Sequence, residues 1–264
     1  MVSAEIVAPT KIAIAGLCKR YRSAAGPIDA IAGLDLDVGE GEFCVVVGPS
    51  GCGKSTLLRI LSGLEAATAG SVTILAQGHR ARTALVPQGR SLFPWSRVID
   101  NVAYPLWAAG MPKRARHEAA RRALELVGLA DFARAYPAQL SEGMRQRVAI
   151  ARALVADADV LLMDEPFSAL DEPTRYLLHE ELQQVLAARP QTVLFVTHSI
   201  DEAVTLGDRV VVLSARPARV CATFAIPFPR PRRQTELRLD PRFGALTAQI
   251  WDVLREQTLA GGIR

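Results

Sequence analysis

Nine residues near the start of the chain have the types and the spacing that hold phosphate groups. The apolar run Phe43–Val47 is short, β-branched and bounded by turn residues, which predicts a buried strand. Residues 57–61 predict a helix. Between them the sequence matches G-x-x-x-x-G-K-[ST], the phosphate-binding loop, in the strand–loop–helix setting that this motif requires. The candidate phosphate-binding residues are Gly48, Pro49, Ser50, Gly51, Cys52, Gly53, Lys54, Ser55 and Thr56.

The residue types of this loop indicate how it would bind a nucleoside triphosphate. Gly48, Gly51 and Gly53 permit backbone angles closed to other residues, so successive N–H groups can converge on phosphate oxygens. The helix that begins near Lys54 adds the positive end of its dipole. We expect Lys54 to reach the β- and γ-phosphates and the Ser55 hydroxyl to bind Mg²⁺. A glycine-rich turn could match the motif by chance, but the flanking strand and helix argue against that alternative.

Two adjacent carboxylates follow a second buried strand. Asp164 comes directly after the apolar residues 160–163, as a Mg²⁺-binding aspartate at a strand end should. Glu165 is the next residue, and side-chain alternation points it in another direction. It could act as a general base toward the water that attacks the γ-phosphate, or it could position that water, and the sequence leaves both open. The alternative, that this segment only caps the next helix, is disfavoured by the phosphate loop upstream.

Composition and charge place the chain among ordinary globular proteins. Its 264 residues suffice for one large α/β domain or a core domain with an appendage, and 22% are charged. The net charge of +4 is modest. Basic clusters at residues 114–122 and 230–233 could form a nucleic-acid face, but solvated helix surface and loop are the favoured interpretation. Charge alone therefore selects no partner.

The cysteines and the N-terminus suggest a cytosolic protein. The four cysteines show no CxxC pair or metal-ligand spacing, and Cys44 and Cys52 fall in the strand and the phosphate loop, so we expect free thiols. The N-terminus lacks the basic-then-apolar pattern of a signal peptide. No apolar stretch approaches the ~18–20 residues that cross a bilayer. Work at a membrane would then require a separate protein.

Periodicity predicts strands around the phosphate loop and helices after it. Residues 1–10 predict a loose tail, and Tyr21 is expected just after the first strand. From about residue 89 to 157 apolar residues recur at three-to-four spacing, with Ser141 as an N-cap. Predicted strands lie at 11–17, 31–38, 43–47, 71–75, 83–87, 160–163, 192–197, 209–214 and 220–225. Predicted helices lie at 99–109, 113–127, 142–155, 172–188, 200–206 and 243–259. Residues 227–241, rich in proline and arginine, predict an extended linker.

Several motifs together resemble those of one family, the ABC ATPases. Its signature motif is similar to Leu140-Ser141-Glu142-Gly143-Met144-Arg145-Gln146-Arg147, which lies just before the Asp164 strand as it does in the family. Three other features occur in the family's order and spacing: Gln88, the run Ser168-Ala169-Leu170-Asp171, and His198. The resemblance implies an α/β fold: a P-loop NTPase (RecA-like) core with an N-terminal antiparallel β subdomain and an inserted α-helical subdomain at about residues 89–157. It extends to about residue 225, so we divide the chain into an ATPase domain, 1–226, and a linker with a C-terminal helix, 227–264.

The resemblance also implies roles for single residues, with ATP and Mg²⁺ as the ligands. Tyr21 looks like the aromatic residue that stacks on adenine. Gln88 resembles the glutamine that links Mg²⁺ and the attacking water to the transporter-facing surface. His198 resembles the switch histidine that contacts the γ-phosphate. Asp171 resembles the aspartate that communicates across a dimer.

The signature motif implies a second chain. Ser141 and Gly143 would address the γ-phosphate bound by the partner, since a serine N-cap and free helix N–H groups form an anion site. Lys54 belongs to the other subdomain, so a head-to-tail dimer with a second copy or a homologous ATPase would close both around ATP. Glu142 departs from the family's usual glycine. Its carboxylate could repel that phosphate and slow turnover, or point outward while its backbone N–H still faces the phosphate.

Two further segments look like those of nitrate/sulfonate/taurine-type importer ATPases. These are residues 92–102, LFPWSRVIDNV, and Ser214-Ala215-Arg216-Pro217. The resemblance implies transmembrane permease subunits as partners, with Phe93, Pro94 and Trp95 as candidate contacts. Packing between subdomains is the alternative for Trp95. It also implies, indirectly, a periplasmic or extracellular solute-binding protein, a peripheral location on the cytoplasmic face of the inner membrane, and no nucleic acid.

Other function classes lack their own sequence features. Some importers of this group carry vitamin precursors, riboflavin or aromatic acids, so the cargo stays open. A soluble ABC ATPase acting on the ribosome or DNA usually has two cassettes or a long coiled-coil insertion, and the sequence contains neither. A nucleotide kinase would need a lid, and a GTPase an N-K-x-D motif, and we find neither.

Overall fold

Three strands near the N-terminus form a small antiparallel sheet in the computed structural model, which describes residues 9–24, 26–76, 81–89 and 91–261. The strand order is β2-β1-β4. The strands are β1 (Thr10–Ser23), β2 (Gly26–Gly39) and β4 (Ala69–Ile74). The antiparallel pairing is confirmed, but the strands are longer than predicted. Tyr21 therefore lies within β1, paired with Ile28, rather than after the strand. Most of the predicted loose tail falls outside the described residues.

A larger sheet forms the centre of the domain, with the strand order β5-β6-β7-β3-β8-β9. Five of these strands are parallel, and β9 pairs antiparallel with β8 at one edge. Continuous apolar runs such as Phe43–Val47 are typical of strands that are covered on both faces. The strands are β3 (Phe43–Val47), β5 (Thr83–Val86), β6 (Val160–Asp164), β7 (Thr192–Val196), β8 (Arg209–Leu213) and β9 (Val220–Ala225).

Alternate residues of the central strands belong to two hydrophobic cores. Phe43, Val45 and Val47 pack in a core with the helices on one face of the sheet. Cys44 and Val46 pack in the other core, which includes the first helix and the small antiparallel sheet. This two-sided burial fixes the register of each strand, because a shift by one residue would exchange the two faces.

The helices complete the α/β fold that the motifs imply. Helices α2 to α4 are inserted between β5 and β6, which confirms the α-helical subdomain. Ser141 caps α4 as predicted, since its Oγ accepts a hydrogen bond from the Met144 N–H at 3.2 Å. The helices are α1 (Lys54–Leu61), α2 (Val98–Ala108), α3 (Lys113–Leu126), α4 (Glu142–Leu154), α5 (Glu172–Ala188), α6 (Ile200–Leu206), α7 (Gln234–Leu237) and α8 (Pro241–Ala260). None of them, within the described residues, is long and apolar enough to cross a bilayer. All four cysteines are free thiols.

The prediction of an extended linker over residues 227–241 is wrong. This segment contains the short helix α7, and it packs on the domain through the buried side chains of Phe228, Arg232 and Leu237. Its proline and arginine content suggested solvation, but the arginines find acceptors in the folded domain. The helix α8 that follows packs against α6 and β8. The domain boundary at residue 226 stays a prediction.

Arg232 anchors this segment to the end of α6. The residue is 4% exposed. Its Nε donates to the Phe228 carbonyl at 2.9 Å, and its Nη1 donates to the carbonyls of Val204 and Gly207 at the carboxyl end of α6. Burial lowers the pKa of Arg232 to about 10, and the Asp208 carboxylate 3.7 Å from Nη2 counters that effect. A cation is favourable at the negative end of a helix dipole.

We predict that Arg232→Met lowers the free energy of unfolding by about 3 kcal/mol, because it leaves buried carbonyl groups without a donor. Urea denaturation of the full chain measures this loss. The adjacent Arg233→Met is the matched control, since the Arg233 side chain is 63% exposed and should matter by less than about 0.5 kcal/mol. Equal losses for both variants would contradict an anchoring role for Arg232.

Candidate functional site

The parallel sheet gathers the predicted site residues at one edge. The carboxyl ends of parallel strands meet on the same side of a sheet, where open α/β folds bind ligands. Gln88 follows β5, Asp164 ends β6, His198 follows β7, and the phosphate loop follows β3. Residues separated by more than 100 positions therefore face one cleft.

The backbone of the phosphate loop takes conformations that favour glycine. Gly51 has a φ of 72° and Gly53 a φ of 123°, both in the left-handed region. At Gly53 a Cβ atom would also lie 2.9 Å from the Ala30 carbonyl oxygen, which leaves no room for a side chain. Helix α1 begins at the next residue, Lys54. The loop therefore presents the start of a helix, where backbone N–H groups are free to bind an anion.

Lys54 and Cys52 lie inside the loop. The Lys54 side chain is 7% exposed, and its Nζ donates to the carbonyls of Gly48 at 2.7 Å and Pro49 at 3.0 Å. Because both acceptors are uncharged carbonyl groups, they hold the ammonium group in the loop without neutralising its positive charge. The Cys52 thiol is buried, and burial raises its pKa. Cys52 is therefore a packing residue of the loop, and Lys54 is its cation.

Asp164 offers an unpartnered oxygen to a metal ion. Its side chain is 8% exposed, and its Oδ1 atom has no hydrogen-bond partner in the described part of the chain. Burial raises the pKa of the carboxyl group, while a hydrogen bond from Ser55 and the charge of Lys54 oppose that rise. A buried carboxylate oxygen beside a hydroxyl group is a suitable donor set for Mg²⁺, which prefers oxygen ligands. Asp164 and Ser55 thus fit the metal that the sequence predicts.

Two side chains converge on one oxygen of Glu165. The Gln88 Nε2 donates to Glu165 Oε2 at 3.0 Å, and the His198 Nδ1 lies 3.2 Å from the same oxygen. Glu165 has a φ of 46°, which is uncommon for a residue other than glycine and is found at functional sites. Its backbone N–H donates to the Val196 carbonyl at 2.9 Å, so the neighbouring strand holds it in this conformation. Gln88 thus contacts Glu165.

Tyr21 is held beside the first helix by its hydroxyl group. The Tyr21 hydroxyl donates to Glu65 Oε2 at 2.6 Å and lies 3.3 Å from the Thr56 Oγ1. Burial and the Glu65 carboxylate raise the pKa of Tyr21. The Lys19 ammonium lies 4.9 Å from the centre of its ring. The ring therefore has a fixed position next to the phosphate loop.

Most of these residues line one cleft with a volume of about 740 Å³, large enough for a nucleotide. Three lining residues escaped the sequence reasoning. Ile28 and Ala30 come from β2, and Arg216 comes from the turn after β8. No local sequence pattern marks Ile28 or Ala30 as binding residues. Arg216 lies in the segment that resembles importer ATPases, but that resemblance gave it no role in the site. The lining residues are Tyr21, Ile28, Ala30, Ser50, Gly51, Gly53, Lys54, Ser55, Thr56, Gln88, Glu165, His198 and Arg216.

Ser141, Gly143 and Asp171 lie together on a second surface, and none of them lines the cleft. Ser141 and Asp171 are exposed and cap the starts of α4 and α5. The Thr174 N–H bonds to Asp171 Oδ1 at 3.0 Å, which lowers the pKa of that carboxyl. The start of α4 packs closely against the segment before α5, since a Cβ atom at Gly143 would lie 2.9 Å from Leu170 Cδ2.

Glu142 is held by an arginine on its own helix. The Arg145 Nη2 donates to Glu142 Oε2 at 2.6 Å, and the Arg145 Nε donates to the same oxygen at 3.2 Å. A further Arg145 nitrogen donates to the Leu140 carbonyl at 2.7 Å. The pair reduces the repulsion that a free carboxylate would exert on a phosphate at this helix start. Slower turnover caused by Glu142 stays a prediction.

Comparisons with known proteins match most of the chain. A family model described as ABC transporter matches residues 31–168. An aliphatic sulfonates import ATP-binding protein of a Mycobacterium species is 47% identical over 80% of this chain and 84% of its own length. A taurine import ATP-binding protein of Rhizobium johnstonii is 43% identical over 86% of this chain and 89% of its own. The ATP-binding cassette MJ0796, solved as a dimer in a post-hydrolysis state with ADP and Pi, superposes with a TM-score of 0.75 at 31% identity, over 83% of this chain and all of that one.

We predict that Asp164→Asn stabilises the ligand-free chain at pH 7.5 by about 1 kcal/mol. Because burial raises the pKa of the Asp164 carboxyl in the folded state, its ionisation costs stability. That cost is absent below the unfolded pKa, grows as the pH rises from the unfolded to the folded pKa, and is constant above it. Urea denaturation from pH 7.5 down to about pH 4, close to the unfolded pKa of an aspartate, should show a gain that shrinks at the lower pH. Mg²⁺ should no longer add to the stabilisation by ATP.

The same substitution at Asp171 is the control, with the opposite sign. Its pKa is lowered by the hydrogen bond from Thr174, so its ionised form favours folding. Asp171→Asn should therefore destabilise the chain at pH 7.5. A destabilising effect of both variants would show that Asp164 does not carry an uncompensated buried charge.

Proposed function

Since this chain belongs to the ABC transporter ATP-binding family and is an ATPase, we propose that it powers an importer of a small sulfonate-, taurine- or nitrate-like solute. The names of two relatives, which import aliphatic sulfonates and taurine, support the solute class. The observation that carries the hydrolytic part is the convergence of Gln88 and His198 on Glu165 beside the phosphate loop.

In this proposal the phosphate loop holds the triphosphate and Glu165 prepares the attacking water. The loop N–H groups and the dipole of α1 bind the phosphates, and Lys54 neutralises their charge. The Glu165 carboxylate is 18% exposed and keeps one oxygen on its two neighbours. The other oxygen can accept a proton from water or orient it. Fixing the carboxylate in advance avoids the cost of ordering it during the reaction.

Asp164 and Ser55 would hold Mg²⁺ in this site. Bound there, the ion would neutralise charge on the β- and γ-phosphate oxygens. Within the described residues the Oδ1 atom of Asp164 has no hydrogen-bond partner, and the Ser55 hydroxyl lies near this carboxyl group; both observations support the assignment. Gln88, although proposed as a further metal contact, acts through its amide group on Glu165 in the ligand-free chain.

The second surface supports a head-to-tail dimer. The start of α4, with the Ser141 cap and the free N–H groups behind it, is an anion site that lies outside its own cleft. A second chain related by a two-fold axis could place its cleft on this surface. Two ATP molecules would then lie between the chains. Asp171 is exposed beside Gly143 and would face the partner. The dimeric state of the related cassette MJ0796 is consistent with this arrangement.

An aromatic surface on the helical subdomain supports docking to a permease. We call Phe93, Trp95, Tyr104 and Trp107 the aromatic ridge; Trp95 is 78% exposed and Trp107 57% exposed. The Phe93 and Tyr104 rings lie 4.7 Å apart, which fixes the ridge. Exposed aromatic clusters of this kind mark protein interfaces. The high exposure of Trp95 supports a contact with a partner rather than packing between subdomains.

Buried Asn101 holds the loop that carries the ridge. Its Oδ1 accepts from the Phe93 N–H at 2.7 Å, and its Nδ2 donates to the carbonyls of Ser96 and Arg97 at 3.0 and 3.1 Å. A groove of about 350 Å³ lies beside the ridge, lined in part by Leu92 and Pro94. A short helix of a permease would fit such a groove. Through the permease the chain would sit at the cytoplasmic face of the membrane and serve a solute-binding protein outside.

We predict that Glu165→Gln still binds ATP, forms a stable dimer and hydrolyses ATP at least about 100-fold more slowly, because the attacking water loses the carboxylate that would accept its proton or orient it. Size-exclusion chromatography with ATP and a phosphate-release assay measure the two effects. Glu118→Gln, at an exposed position on α3, is the matched control and should behave as the unmodified chain. Rapid hydrolysis by Glu165→Gln would refute the role given to Glu165.

We predict that Trp95→Ala lowers the apparent affinity for reconstituted permease about tenfold, since it removes a central anchor. The affinity is measured from the stimulation of ATP hydrolysis by the permease. ATP affinity should not change, because Trp95 does not line the cleft. The exposed Trp251 on α8 is the control, and Trp251→Ala should keep full stimulation. Stimulation by DNA or ribosomes instead of permease would overturn the importer assignment.

A further inference from the structure

The turn between β8 and β9 forms the flank of the cleft opposite to Glu165. In the sheet, β3 lies between β7 and β8, so the phosphate loop has a neighbour on each side. Glu165 and His198 follow the strands on one side. The turn that follows β8, residues 214–219, lies on the other. At Gly48 a Cβ atom would lie 3.2 Å from Leu213 Cβ, so the loop and the start of this turn are in contact.

Hydrogen bonds hold this turn in place. Within it, the Ser214 N–H donates to the Arg219 carbonyl at 2.9 Å, and the Ser214 Oγ accepts from the Arg219 N–H at 2.9 Å. Ala218 joins the turn to β2: its N–H donates to the Ala30 carbonyl at 2.9 Å, and its carbonyl accepts from Ala32 at 3.2 Å. The turn is therefore a fixed wall of the cleft.

Arg216 projects from this wall into the cleft. Its side chain is exposed and lines the cleft together with Ser50 and Gly51 at the top of the phosphate loop. Over the described residues no hydrogen bond or ion pair holds its guanidinium group. Lys54, by comparison, is engaged by loop carbonyls. Arg216 is thus a free cation next to an anion site.

We propose that Arg216 is a second phosphate-binding cation of the nucleotide site, a role that rests on ATP binding in this cleft. The planar guanidinium group donates two parallel hydrogen bonds, which match two oxygens of a phosphate. Its position across the loop from Glu165 places positive charge on the side where, among the residues that the structure describes, no acidic residue lines the cleft. Arg216 would approach the phosphates from the β8 side, and Glu165 would approach from the β6 side.

The test compares ligands with increasing numbers of phosphates. We expect Arg216→Ala to raise the Kd for Mg-ATP about five- to tenfold, the Kd for ADP less, and the Kd for adenosine not at all. Isothermal titration calorimetry of the full chain measures all three. Arg216→Lys should recover part of the affinity, because lysine keeps the positive charge but cannot donate two parallel hydrogen bonds.

Arg219→Ala is the matched control, since Arg219 is exposed in the same turn and does not line the cleft. It should bind ATP as the unmodified chain does. The proposal is wrong if Arg216→Ala binds ATP within twofold of the unmodified chain, or if it weakens adenosine and ATP equally. It is also wrong if the loss appears only in the ATP-dependent dimerisation of Glu165→Gln, because Arg216 would then contact the partner. Absence of ATP binding by the unmodified chain would instead refute the nucleotide site itself.

Discussion

The parallel register of the central sheet is the constraint on which the site depends. Because β5, β6, β7, β3 and β8 run in one direction, the residues that follow them emerge at one edge. Gln88, Glu165 and His198 meet there although they are far apart in the chain. The register is fixed in turn by the two cores, since each central strand is buried on both faces. The hydrophobic cores thus determine where the polar site residues lie, although these residues are outside the cores.

The site holds charges in conformations that the rest of the domain stabilises. Within the described part of the chain, one Asp164 oxygen has no hydrogen-bond partner, and Glu165 adopts a positive φ beside it. Each feature costs free energy, and buried apolar strands on both sides offset that cost. In return, the carboxylates are in place before a ligand arrives. Preorganised charge of this kind is the main contribution of a protein to phosphoryl transfer.

Two parts of the chain depend on partners that composition does not reveal. Residues 227–241 have the composition of a solvated linker, yet Arg232 is buried because the end of α6 supplies carbonyl acceptors. In the dimer proposed above, Glu142 would lie near a phosphate, and Arg145, one turn away on the same helix, forms an ion pair with it. Composition measures the average tendency of a residue type, whereas the outcome depends on which partner the fold brings near.

The sequence by itself determined the elements and motifs that depend on local order. The bounds of β3, α5 and α6, the Ser141 cap and the phosphate loop all follow from residues within a few positions of each other. The tertiary structure alone decided the contacts between distant segments: Glu65 on the Tyr21 hydroxyl, Ala30 against Gly53, and Arg216 on the wall of the cleft. Periodicity and motif spacing record neighbours along the chain. The contacts that complete this site arise from strand order and side-chain packing, for which a single sequence has no local signal.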